Sequence, residues 1–203
     1  LVPQLFRDEG HEWMQQDKYP VQDPARPRPG LGLCCLIRAV HHLNTEVDPG
    51  GYRLIIVGEG SERPALQQLI DELGAADYVE LPGATDKPED WYRQFDVYVN
   101  CSFSEGMSNT VLEAMACGLP VVATDCAGHR DWLSEGENAL FFENDRAASL
   151  AEAISHVHCE PDILALIATR NRNQVLEDFG QTRFTGDYAR LYNDLLSAGR
   201  PAS

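Results

Sequence analysis

The feature that most constrains this chain is the alternation of short apolar runs with segments of helical periodicity. YRLIIV at 52–57, YVEL at 78–81, FDVYVN at 95–100, LPVVAT at 119–124 and ALFF at 139–142 are each too short for a core helix. They are rich in β-branched and aromatic side chains, which suits strands. Helical stretches separate them: one through Leu73 that Ser61 is placed to cap, one near Glu89–Arg93, one from about Asn109 to Cys117, and one near His129–Leu133. Strands that are apolar throughout and alternate with helices predict an α/β fold, a parallel sheet with helices on both faces.

The flanks complete this order. LGLCCLIRAVHHLN repeats apolar residues at three- and four-residue steps (Leu33, Leu36, Ile37, Val40, Leu43), as a helix does, and Asp48-Pro49-Gly50-Gly51 ends it in a turn. Beyond Asp145 the pattern is helical only, near 146–157, 161–178 and 182–197. Residues 1–30 carry Pro3, Pro20, Pro24, Pro27 and Pro29 with little periodicity, and are expected to form an irregular arm ahead of a single domain at 31–203.

Composition narrows the function. The 203 residues are 43% hydrophobic and 24% charged, enough to bury a core in one domain. A formal charge of −16 with no basic patch argues against nucleic acid or an anionic membrane as partner. The apolar runs stop short of the ~20 residues of a transmembrane helix, and LVPQLFRDEGHEW does not form a signal peptide, so a soluble, cytoplasmic protein is expected. Cysteines at 34, 35, 101, 117, 126 and 159 have no C-x-x-C spacing and read as reduced, mostly buried thiols. His156-x-His158 points its imidazoles apart on a helix, His41, His42 and His129 read as surface or loop residues, and no metal site is expected.

In a doubly wound sheet ligands bind outside the carboxyl ends of the strands, which selects the loops after Val57, Leu81, Asn100 and Thr124. The richest is SFSEGMSNTVLEAMACGLPVVATD, at 102–125. Glu105 is read at a strand end, Gly106 allows close backbone approach, and Ser108-Asn109-Thr110 open a helix that carries Glu113. Free amides at a helix start bind anions and carboxylates accept from hydroxyls, a combination that fits a ligand with phosphate and polyol parts. Taken alone, Thr110-x-x-Glu113 also reads as a capping box, and Glu105 as a solvated loop acid.

Glu105 and Glu113, seven residues apart within EGMSNTVLEAMACGLPVVATD, closely resemble the E-x7-E signature of retaining GT-B glycosyltransferases of group 1. The resemblance extends through YRLIIVGEGSERPALQQLIDELGAADYVELPG, NALFFENDRAASLAEAI and ARLYNDLL, so about 31–197 looks like the Rossmann-like, donor-binding C-terminal domain of such an enzyme. It implies a UDP- or GDP-sugar donor as substrate, with no further cofactor and no metal. It also implies that Glu105 contacts the donor sugar, that Gly106, Met107, Ser108 and Asn109 present amides to sugar and diphosphate, and that Glu113 binds the ribose. Gly58 and Gly60 are expected to line the cleft, and Leu81 and Gly83 to lie near the base.

The chain also departs from that pattern. The family's basic loop corresponds to 25–32, where Arg26 falls on the family arginine and is expected to be catalytic, but Leu31 stands where the family has lysine. The strand expected before this loop is replaced by YPVQDPAR, and no acceptor domain precedes it, so an acceptor domain or partner subunit is expected. The alternative is a non-catalytic or truncated nucleotide-sugar-binding protein. A nicotinamide site at Gly58-x-Gly60, with Glu80 as its ribose acid, is disfavoured because Arg63 replaces the third glycine.

Overall fold

The computed structural model describes residues 4–6 and 31–198. Six strands form one sheet, β1 (Gln4–Phe6), β2 (Arg53–Val57), β3 (Val79–Gly83), β4 (Val97–Asn100), β5 (Val121–Thr124) and β6 (Ala139–Phe142), in the order β3-β2-β1-β4-β5-β6. Eight helices accompany it: α1 (Leu31–His42), α2 (Arg63–Leu73), α3 (Pro88–Tyr92), α4 (Asn109–Ala116), α5 (Ala127–Arg130), α6 (Ala147–Cys159), α7 (Pro161–Asp178) and α8 (Gln181–Ala198). All five strands expected from the apolar runs are present. The β2–β3, β4–β5 and β5–β6 pairs are parallel.

The sheet's centre differs from expectation. Gln4–Phe6, within the stretch read as irregular, pairs antiparallel with both β2 and β4. Three residues after a proline carry too little periodicity to announce a strand. Because β2 and β4 both oppose β1, they run parallel to each other, so all five longer strands end at one edge. The rest of the expected arm, including Arg26, lies outside the described residues.

Period-two alternation divides the core between the two faces. Leu54, Ile56, Val97, Val99, Val122 and Leu140 join α1, α2 and α6 on one side, while Ile55, Val57, Tyr98, Val121 and Ala123 join α3 and α4 on the other. Among the described residues no helix is long and apolar enough to cross a membrane.

Local starts and stops follow side-chain chemistry. The chain leaves α1 through a π turn at Leu43–Val47, where the Asn44 amide donates to the Tyr52 carbonyl at 2.8 Å and accepts from the Tyr52 N–H at 2.9 Å. Ser61 does not cap α2, contrary to expectation. That helix begins at Arg63 with Pro64 in its first turn, and the Ser61 hydroxyl faces Glu62 instead. A register irregularity interrupts β2–β3 between Ile55 and Val57, next to Pro82, which has no ladder donor to give. The six cysteines are all free, but only Cys35 and Cys101 are buried, which corrects the expectation of mostly buried thiols. Cys117 sits at the C-cap of α4 and Cys159 at the end of α6, both exposed because helix ends face solvent.

Candidate functional site

The loops after β2, β3, β4 and β5 gather at the common carboxyl edge. Gly58 and Gly83, both at positive φ (130° and 94°), are joined by a 2.7 Å bond from the Gly58 N–H to the Gly83 carbonyl. Arg63, which takes the place of a third glycine, clasps the same two loops: its guanidinium donates to the Leu81 carbonyl at 2.7 Å and to Glu59 Oε1 at 3.1 Å. A cation at the first residue of the helix after a glycine loop is the sequence signal for such a clasp. Gly60 lies exposed between these groups. Glu80 is an ion-pair partner of Arg53 on the neighbouring strand, which takes it out of the role of a ribose acid for a nicotinamide.

Glu105 is half-buried and lies five residues past the end of β4, in a loop, not at the strand end where it was expected. Gly106, Met107 and Asn109 are exposed and Ser108 is buried. Ser108 is the N-cap of α4 in an extended conformation, with no capping bond from its side chain. Its hydroxyl instead joins a buried polar chain under the helix start. Asn100 Nδ2 donates to Ser108 Oγ at 3.4 Å, Ser108 Oγ meets Thr110 Oγ1 at 3.1 Å, and the Tyr98 hydroxyl donates to Thr110 Oγ1 at 2.8 Å. Thr110 is thereby committed to Tyr98, and it is the second residue of α4, not its cap. The capping-box alternative for Glu113 therefore fails.

Glu113 lies one turn further along α4, exposed, and its Oε2 accepts from the Tyr92 hydroxyl at 3.0 Å. Tyr92 is 2% exposed. Burial first, then the proximity of Tyr98 and Glu113, pushes its phenol far above the ordinary range, so it stays protonated and donates. A buried donor holds a surface carboxylate in place.

The loop after β5 closes the site from the other side. A Cβ built on Gly128 would stand 1.6 Å from the Glu105 carbonyl oxygen, so α5 and the Glu105 loop are in backbone contact. His129, read as a surface or loop residue, is 0% exposed: its Nδ1 donates to the Thr124 carbonyl at 2.8 Å and lies 3.3 Å from Cys126 Sγ. Asp125 and Arg130 pair at 2.6 and 2.8 Å, and this bonding holds the Asp125 carboxyl below its usual range. At the far side Gly32, in the first turn of α1, packs so tightly that a Cβ there would lie 2.3 Å from the Cys101 carbonyl oxygen.

A six-stranded sheet among the described residues, with glycine loops and two acids at its carboxyl edge, has the architecture of one half of a GT-B protein, and the comparisons agree. The profile described as "Glycosyl transferases group 1" matches residues 26–159, and the chain belongs to that family. The lipopolysaccharide core biosynthesis glycosyltransferase LpsE of Rhizobium meliloti is 31% identical over 160 residues, covering 79% of this chain and 45% of LpsE. Anabaena HepE, solved in complex with UDP, superposes with a TM-score of 0.73 at 23% identity over 84% of this chain and 47% of its own. The C-terminal domain of a group 1 glycosyl transferase, LpcC of Francisella tularensis, gives a TM-score of 0.67 at 22% identity, covering 77% of this chain and 83% of that domain. The chain thus spans less than half of LpsE and of HepE.

Proposed function

We infer that this chain is the donor-binding half of a glycosyltransferase that moves a sugar from a UDP- or GDP-activated donor to an acceptor, with retention and without a bound metal. The observation that carries this reading is the placement of two acids at one edge of the sheet, Glu105 by its backbone contact with Gly128 and Glu113 by the Tyr92 hydroxyl. Glu105 takes the donor sugar's hydroxyls and Glu113 the ribose. The amides of Gly106, Met107, Ser108 and Asn109, at the start of α4, meet the diphosphate. Gly58, Gly60, Leu81 and Gly83 border the base. Fixed donors of this kind stabilise a departing nucleoside diphosphate without reorganising. Arg26 remains the proposed catalytic cation.

The site calls for an acceptor domain or partner subunit, and α8 supports this. Phe184, Tyr188, Leu191, Tyr192, Leu195 and Leu196 form a stripe at helical spacing and are 48–72% exposed. An apolar stripe of that length is the surface a second domain covers.

Calorimetry with UDP, GDP, ADP and their sugars tests the reading. Glu113→Ala is expected to weaken UDP binding about ten- to a hundredfold, the range for losing a hydrogen-bonded carboxylate. Glu105→Ala is expected to erase the affinity difference between UDP-sugar and UDP. Parent-like binding by both variants overturns the site. Binding without transfer, once an acceptor domain is added, selects the non-catalytic alternative, for which Leu31 in place of lysine at the start of α1 speaks.

Tyr92→Phe separates positioning from structure. It leaves Glu113 in place but unheld, so UDP affinity is expected to fall severalfold while unfolding free energy drops by only about 1 kcal/mol. A stability loss with unchanged UDP affinity would make Tyr92 purely structural.

A further inference from the structure

The Cys126–His129 pair has no part in the donor reading above, yet it abuts the Glu105 loop. The Thr124 carbonyl can only accept, so His129 Nδ1 carries a proton, and the sulfur 3.3 Å away receives that N–H. The Glu105 backbone lies near enough to the same sulfur to lower its pKa. The ring is fully buried, and its Nε2 has no partner among the described residues. Thr124 and Cys126 are therefore the imidazole's only hydrogen-bond partners among the described residues, and its Nε2 lacks the bond that a structural core histidine normally makes. Cys126 itself is partly exposed.

We propose that Cys126 is a reactive nucleophile and a site of reversible oxidation whose modification displaces the Glu105 loop. The charge balance around the sulfur agrees. Burial opposes the thiolate, but the bonds from His129 and the nearby Glu105 backbone outweigh it and lower the thiol's pKa. Burial likewise opposes the imidazolium, and the bonds to Cys126 and Thr124, with the Glu105 carboxylate nearby, raise it. The Cys34 and Cys35 thiols move the other way, pushed up first of all by burial, Cys35 to about 12. The neighbouring charges of Asp125 and Arg130 are spent on each other.

With hydrogen peroxide as oxidant, the Cys126 thiolate attacks one peroxide oxygen and the O–O bond breaks. The sulfur is oxidised to sulfenic acid. The departing hydroxide takes a proton from solvent and leaves as water. Gly128, two residues along, already touches the Glu105 carbonyl, so an oxygen added at the sulfur is expected to push the Glu105–Gly106 backbone outward. A thiol restores the loop by reducing the sulfenic acid.

The consequence for UDP rests on the donor-site reading; the reactivity does not. Brief iodoacetamide treatment of the 203-residue chain in mildly acidic buffer, followed by peptide mass spectrometry, is expected to label Cys126 about tenfold faster than exposed Cys117 and Cys159. His129→Gln is expected to remove that advantage, with circular dichroism confirming the fold. Labelling of Cys126 no faster than Cys159 overturns the proposal. Peroxide treatment is expected to give a dimedone adduct at Cys126 and to abolish UDP binding in the parent, with recovery on adding thiol, while Cys126→Ser keeps its UDP affinity through the same treatment. Unchanged UDP affinity after quantitative oxidation of Cys126 overturns the loop displacement. If the untreated chain binds no UDP, the donor reading fails while the labelling rates still decide the thiolate.

Discussion

Gly128→Ala is expected to abolish measurable UDP binding and to lower the melting temperature. The new methyl would sit 1.6 Å from the Glu105 carbonyl oxygen, 2.5 Å from its carbon and 3.3 Å from the Gly106 oxygen. All three are backbone atoms, which no rotamer change can move aside. Relief must come from shifting the Glu105 loop or unseating α5. Overpacking of this kind costs about 1–3 kcal/mol, and for a chain of this size each kcal/mol is about 2–4 °C in Tm. A scanning melt beside a UDP titration checks both parts. Parent-like affinity would show that the contact between these loops is irrelevant to the nucleotide.

The second large effect is expected at Asn100, which is 0% exposed at the end of β4. Its Oδ1 accepts the Ser102 N–H at 2.9 Å, its Nδ2 donates to Ser108, and its carbonyl accepts the Thr124 hydroxyl at 3.0 Å. Alanine keeps the last bond but removes the side-chain acceptor of the Ser102 N–H and breaks the polar chain that supports the α4 start. Urea denaturation is expected to show a loss of about 3 kcal/mol, the sum of two lost side-chain bonds and a small cavity. A loss below about 1 kcal/mol would mean that the loop re-forms its bonds without Asn100.

The readable and unreadable parts of this molecule differ for physical reasons. Strands such as Arg53–Val57 and Val121–Thr124 are buried on both faces, so their sequences are continuous apolar runs and stand out. Gln4–Phe6 does not, because three residues hold no period. The expected acids and glycines fall at the carboxyl edge because a parallel sheet sends every such loop there. Tertiary partners were invisible: nothing local says that Tyr92 holds Glu113, or that Tyr98 occupies Thr110 and defeats the capping box. His129 looked like a loop residue because its burial comes from the fold of the β5–α5 turn around it, and no sequence pattern records that.

The Arg63 clasp also has a mechanical consequence. By holding the Leu81 carbonyl and Glu59 at once, beside the Gly58–Gly83 bond, it makes the connections after β2 and β3 a single stiff jaw. Force applied at either connection is carried to the other through one guanidinium, so this flank of the cleft moves as a unit.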